Sequence, residues 1–499
     1  MNRYVILTTL SLVFSISTGA LNAQGYPQNA LCVNGQSTLC PTMPVDLPNL
    51  AIQTGYFPKT DTTTPSTFIA QDNFDWFSWQ MFVALNWPAD NNGKPLSGPI
   101  GKEPSAPRIW QNLQSPDQVF PGNGIYTKSC AANKKGLVLF RTSKFSTNSF
   151  IEPTTPWPLI DQAGNYVLYD IKMGAVEVDY LKKNGLLTAA GQKNFTGIYR
   201  FPTGFGTKQG AIELKTAWRV LTDPASYSNF FTAPATIVVP PQNSVTGKEM
   251  CLDVTVGLVG MHIIQKITNP STFSNFWVWA TFEHNANAPT AQGASPSQTN
   301  QKAAPQINSY DPLQTCPVPT AAGSNYSFFS RACTNNGASC MPNQPPTIPS
   351  KTKNNKTKNN KINTANFMWQ TKPPYAKNYL MDGKYGTQVV RCWDIYDSAK
   401  NVTAQFQAAL AGTPWANYML VGAQWAEANA SEFPSPVMPF AAPFYLTNTT
   451  LETYLQLSPI IVNGKLSNNK PGSCIACHNL ATDSAQKASN LSFLPSYAK

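Results

Sequence analysis

A chain of 499 residues with 42% hydrophobic content can bury a large core, and its 42 Pro and 30 Gly imply many loops and turns. The formal charge of +11 does not mark a nucleic-acid binder. One positive charge sits in the first three residues, and five lysines are gathered in the near-repeat KTKNNKTKNNK of residues 351–361, a run with nothing apolar to bury.

Residues 1–23 read as a secretory signal peptide. Asn2 and Arg3 give a polar, positive start, Val5 to Ile16 form a mostly apolar run, and Ala20 or Ala23 can precede the cut. The run is short for a membrane span, and nothing later approaches about 18 uninterrupted apolar residues. The expectation is an exported, soluble protein of a Gram-negative periplasm. Residues 24–70 form an extended lead-in tied down by Cys32 and Cys40.

A strand-rich core begins at residue 71 and runs to 284. It opens with a helix capped by Asp72 or Asn73, apolar around its whole circumference and therefore buried, which ends at Trp87-Pro88. Strands are expected over Gly136–Phe140, Tyr166–Met173, Ala211–Leu221 and Thr236–Val239, with a short helix at Val178–Lys183. Asp253–Ile267 alternates with a period of two, placing Val254, Val256, Leu258, Gly260, His262 and Ile264 on one face. Asn275–His284 alternates likewise, so the two runs form a long hairpin. Residues 285–365 are a loop-rich insertion. The core continues over 366–465, with strands at Gly386–Trp393 and Trp415–Trp425 around a helix at Val402–Leu410. Residues 466–499 are a short helical C-terminal segment. The fold class is α+β, a strand-rich core with peripheral helices.

Ten cysteines divide into two groups. Eight of them (Cys32, Cys40, Cys130, Cys251, Cys316, Cys333, Cys340 and Cys392) suit up to four disulfides in an oxidising compartment, and Cys32 with Cys40 and Cys333 with Cys340 close the shortest loops. The other two lie in Cys474-Ile475-Ala476-Cys477-His478, with 21 residues following. This CxxCH is the pattern for covalent haem attachment. Thiols at i and i+3 of one helical turn can each add to a vinyl group of one porphyrin edge, and the histidine at i+4 ligates the iron. Pro471-Gly472-Ser473 leads into that turn, with Ser473 as N-cap. A redox disulfide between Cys474 and Cys477 and a metal site are the alternatives, although zinc wants a second ligand pair and there is no other CxxC or HxxxH.

On Cys474, Cys477 and His478 the chain resembles the c-type cytochromes, over its last few dozen residues. Trp277–Pro289 and Thr447–Tyr454 resemble bacterial proteins that also end in a CxxCH. The resemblance implies one covalent haem c per chain, with Cys474 and Cys477 as thioethers and His478 as the proximal iron ligand. It also implies a periplasmic redox partner. The family's small domain follows CxxCH with a methionine for the iron's other face, but here no methionine follows Met438 and no histidine follows His478. The candidates for that face are therefore Met438, in the rigid Pro436-Val437-Met438-Pro439, together with His284 and His262, with an iron lacking a sixth protein ligand as the alternative.

Three functions follow: one-electron transfer; a haem-dependent oxidoreductase with an open iron face, for which His284, His262 and Arg219 are candidate distal groups; and a ligand-binding envelope protein with a sensory haem. A second CxxCH, a Gly-x-Ser-x-Gly elbow and a GxxxxGK[ST] loop are all lacking, which argues against a di-haem peroxidase, a serine hydrolase and a nucleotide-binding P-loop.

Overall fold

The computed structural model describes residues 39–45, 71–120, 136–142, 158–268, 275–292, 326–333, 340–344, 367–377, 386–428, 446–456, 460–462, 465–467 and 473–499, with a few isolated positions between them. Residues 1–23, expected to be a signal peptide, together with Cys32, most of the lead-in, the lysine run and Met438, lie outside the described residues.

Seven strands form one mixed sheet: β1 (Leu137–Leu139), β2 (Leu168–Met173), β3 (Ile212–Leu221), β4 (Thr232–Val239), β5 (Met250–Thr268), β6 (Asn275–His284) and β7 (Tyr418–Ala428). β5 is the spine. Its first half pairs with β4 and its second half with β6 along the same edge, while β3 runs along the other edge. β2 extends the sheet beyond β3, β7 extends it beyond β6, and β1 joins β4 in parallel. A separate small ribbon joins β8 (Ile460–Val462) to β9 (Lys465–Ser467).

The hairpin of β5 and β6 forms as the alternation predicts, with Thr268 paired to Asn275. The single face expected along β5 does not hold. Ala217 pairs with Gly260 and Trp218 with Leu258, so Val259 is an extra residue opposite β3. Such a bulge reverses the alternation. Leu258 therefore shares a side with Trp218, whereas Gly260, His262 and Ile264 point to the other. The bulge also falls where β4 gives way to β6. Backbone groups freed there are met by side chains: Tyr418 Oη donates to Leu258 O (2.9 Å) and Asn287 Nδ2 to Val259 O (2.6 Å).

One face of the sheet is covered by helices. α1 (Gln71–Leu85) is buried on every side, as its composition predicts, although it starts at Gln71, ahead of the expected caps. Its Phe82 stacks on Phe282 at 4.3 Å, and its Trp79 stacks on Phe406 of α5 (Asp397–Ala409) at 5.0 Å. The shorter helices are α2 (Pro116–Val119), α3 (Ala175–Lys183) and α4 (Ala189–Asn194).

The opposite face is covered by irregular chain, which includes 446–456 and 473–499. The Gly386–Trp393 strand is not formed. That segment runs between loops, its Thr387, Val389 and Arg391 amides donating singly to Ile160, Phe328 and Pro289, so no ladder develops. Trp415 lies in a 3-10 turn (Pro414–Asn417) before β7, because Pro414 suits a first helical turn and not a central strand. Disulfides join Cys130 to Cys251, Cys316 to Cys392 and Cys333 to Cys340, and Cys40 is disulfide-bonded too. Among the described residues no helix is long and apolar enough to cross a membrane.

Candidate functional site

The CxxCH forms a single helical turn, α6 (Cys474–His478), laid on the loop-covered face of the sheet. Ser473 O accepts from the Cys477 amide and so begins the helix. The Ser473 hydroxyl makes a bond that the sequence does not foretell, to the Gln424 side chain on β7 (3.0 Å). Gln424 Oε1 also accepts from the Ile475 amide at 2.9 Å. One buried amide side chain thus holds both the turn's entry and an N–H that the helix itself leaves unmatched. Ile475 is fully buried beneath the turn, Cys474 is buried and Cys477 is half-buried. Cys474 Sγ reaches Leu446 O at 3.5 Å.

His478 is held at Nδ1. Its Nδ1 lies 2.7 Å from Leu491 O, and the ring sits against Trp279 (5.2 Å) and Phe493 (4.9 Å). A histidine whose Nδ1–H donates to a backbone carbonyl is held in the tautomer that offers Nε2 as a ligand. The carbonyl comes from a tight turn, Ser489–Ser492, in which Asn490 (φ 54°) and Leu491 (φ 69°) both adopt the left-handed region. A leucine there is costly and is held in place by its surroundings. Asn490 Oδ1 accepts from Lys266 Nζ (3.0 Å) and Trp277 Nε1 (3.0 Å), and Ser489 Oγ bonds Ser492 O. Lys266, Trp277 and Trp279 are neighbours on the same face of β5 and β6.

Two buried N–H donors at this place, Trp279 Nε1 and Asn490 Nδ2, have no hydrogen-bond partner. Orphaned buried donors are costly unless a ligand supplies acceptors. Haem brings two carboxylates and an iron that takes an imidazole nitrogen. The orphan donors, the buried Lys266 ammonium, the oriented His478 and the paired thiols fit such a group.

The other sequence candidates are placed elsewhere. His262 is on the same face as Trp279, but both its nitrogens are engaged: Nε2 lies 2.9 Å from Glu452 Oε1, and Nδ1 bonds the Thr281 hydroxyl. Glu452 closes a helical turn begun by Asn448, whose Oδ1 accepts from the Thr450 and Leu451 amides and whose Nδ2 donates to Phe282 O. That turn packs on Gly260, where any Cβ would collide with Thr450 Oγ1. Beside it, Glu283 receives a two-pronged bond from Arg391 (3.1 and 2.8 Å) and the Thr449 amide (2.7 Å), all of it buried. This network, which explains the Thr447–Tyr454 tract, is a tie between sheet and loops.

His284 ends β6, five residues from Trp279 and so on its other side. Its Nε2 donates to Asn229 O (2.7 Å), its Nδ1 accepts from the Ala286 amide (3.1 Å), and it stacks on Phe230 at 4.0 Å. Burial, with a smaller push from the Arg219 charge, lowers its pKa to about 4 and keeps it neutral. Arg219 bonds Asp161 and Ser327. The structure thus brings His284 and Arg219 around Phe230 and away from α6. Sequence reasoning missed Gln424, Asn490, Leu491 and Trp279 as parts of the site; only the Trp277–Trp279 pair carried a signal.

Searches against protein families, curated proteins and solved structures find no match to this chain.

Proposed function

We propose that this is an exported c-type haem protein that transfers single electrons in the periplasm. The observation that carries the reading is His478, oriented through Nδ1 by Leu491 O on the same turn as Cys474 and Cys477. Bound there, the haem supplies an iron that cycles between ferric and ferrous states. The chain's residues hold it. Cys474 and Cys477 would form the thioethers, His478 would offer Nε2 to the iron, and Trp279 Nε1 and Asn490 Nδ2 would be donors for the haem carboxylates. Ile475, Trp277 and Phe493 keep the site apolar, which limits reorganisation of water when the charge changes. Gln424 and the Ser489–Ser492 turn keep the histidine still, as fast one-electron transfer requires. Three disulfides among the described residues accord with an oxidising compartment.

An oxidoreductase with a distal base is supported less well, since both nitrogens of His262 and of His284 are committed to neighbours. Met438, outside the described residues, stays a sequence candidate only, beside an iron with no second protein ligand. The test is the absorption spectrum of the purified protein, ferric, ferrous and ferrous with carbon monoxide. Six-coordinate low-spin spectra unaffected by carbon monoxide are expected. Rapid carbon monoxide binding with peroxide turnover would transfer the assignment to the enzyme reading.

A further inference from the structure

The Ser489–Ser492 turn that holds His478 has a third attachment, to a pair of buried acids. Glu177, in the first turn of α3, and Glu213, on β3, face one another within hydrogen-bonding reach, and the Ser492 side chain lies beside both. Glu177 is fully buried and Glu213 nearly so. The pair is brought together by the joint between α3 and β3, where Gly174 N donates to Ile212 O (2.8 Å) at the entry to the helix. Among the described residues, the Ser492 hydroxyl is the donor beside Glu177 and beside Oε1 of Glu213, and no other donor reaches those oxygens. Two buried carboxyls so sparsely supplied with donors are not both ionised at contact, and they bond one another only when a proton lies between them.

The groups that face the pair are few. Lys215, next on the same face of β3, is the cation that stabilises ionised Glu213, and Ser492 supplies a hydroxyl whose Oγ also accepts from the Leu494 amide. The sheet neighbours of Glu213 are Met173 on β2 and Ile264 on β5, neither of them charged. Burial is the largest cause raising both acids, which puts Glu213 at about 7 and lifts Glu177 well above the usual carboxylate range. An unusual proton-holding pair therefore sits on the same four-residue turn that positions the ligand histidine.

We propose that Glu177 and Glu213 form a proton site coupled to the redox centre at His478, so that one proton enters the pair when one electron enters the centre and leaves when it is withdrawn. This inference rests on the haem reading above. The balance is simple: a one-electron donor, the redox partner, supplies the electron, solvent supplies the proton, and no covalent bond other than the carboxyl O–H is made or broken. The sign follows from charge, since an added electron lowers the potential around the site and favours the protonated pair. The centre's own affinity for the electron then falls as pH rises through the pair's titration.

The experiment measures the reduction potential of the full, haem-loaded chain by spectroelectrochemistry between pH 5 and pH 9. For wild type the expected potential falls as pH rises and approaches about 59 mV per pH unit near neutrality, the tenfold-per-unit value for one electron and one proton. In Glu213→Gln and in Glu177→Gln, with unchanged absorption spectra, the slope is expected to drop at least threefold. An infrared difference spectrum, ferrous minus ferric, should show a protonated-carboxyl band that both variants lose. A flat wild-type profile, a slope that survives both substitutions, or a wild-type difference spectrum without that band would overturn the proposal. Chain mass is recorded first. A chain without covalent haem overturns the functional reading and this inference together, whereas a haem-loaded chain with a pH-independent potential overturns this inference alone.

Discussion

His284 donates a hydrogen bond from Nε2–H to Asn229 O and accepts one at Nδ1 from the Ala286 amide, an arrangement only the neutral ring can satisfy. Its folded pKa of about 4 lies below the usual 6.5. Above the higher value the ring is neutral in both states and its contribution to stability is complete. As pH falls, the unfolded chain takes a proton first, so stability is lost between about 6.5 and 4, by up to about 3 kcal/mol. Urea unfolding at pH 7 and pH 4.5 should show a larger acid loss for wild type than for His284→Gln; equal losses would contradict this. The comparison separates His284 from the Glu177–Glu213 pair, whose raised pKa acts with the opposite sign as pH rises from 4.5 to about 7. At Glu283 the charge is buried and answered by Arg391. Arg391→Met should destabilise by about 3–5 kcal/mol, because it strands a buried carboxylate, and adding Glu283→Gln should recover much of that loss. A double-mutant cycle read by chemical unfolding checks the recovery.

The elements were legible where periodicity was strong. α1 and the β5–β6 hairpin follow from apolar spacing, and β6 has the boundaries that its alternation predicts. The bulge at Val259 was not legible, since Gly257-Leu258-Val259-Gly260 alternates no differently from a regular strand; what fixes the bulge is the change of partner from β4 to β6. Gly386–Trp393 misled in the other direction, because β-branched residues mark extended chain but do not supply a neighbouring strand. The C-terminal loop from Asp483 to Lys487 carries its own prediction. Gln486 is exposed with a φ of 62°, and the Gln486 amide donates to Asp483 O across the turn. A glycine adopts that conformation without steric cost, so Gln486→Gly should stabilise by about 1 kcal/mol in thermal or urea unfolding, and destabilisation would show that the side chain matters there.

At the scale of the molecule, one covalent link, Cys130–Cys251, ties a distant part of the chain to the sheet, while others join loops. Cys130–Cys251 spans 121 residues and Cys333–Cys340 only seven. On loop entropy, removing the first pair to alanine should cost about 5 kcal/mol and removing the second about 2–3, so the order of the two losses tests the account. The haem-attachment expectation rests on five residues, Cys474 to His478. Their support was not legible, because Gln424, Trp279, Lys266 and Asn490 meet the motif only once the sheet has formed and the last 27 residues lie across it. The most direct test of the central claim is the mass of the proteolytic peptide that contains residues 474–478, taken from protein exported from a bacterium able to attach haem c. The account predicts that peptide carrying one haem through both cysteines, and its loss on Cys474→Ala/Cys477→Ala. A peptide recovered without haem, with both thiols open to alkylation, would contradict it.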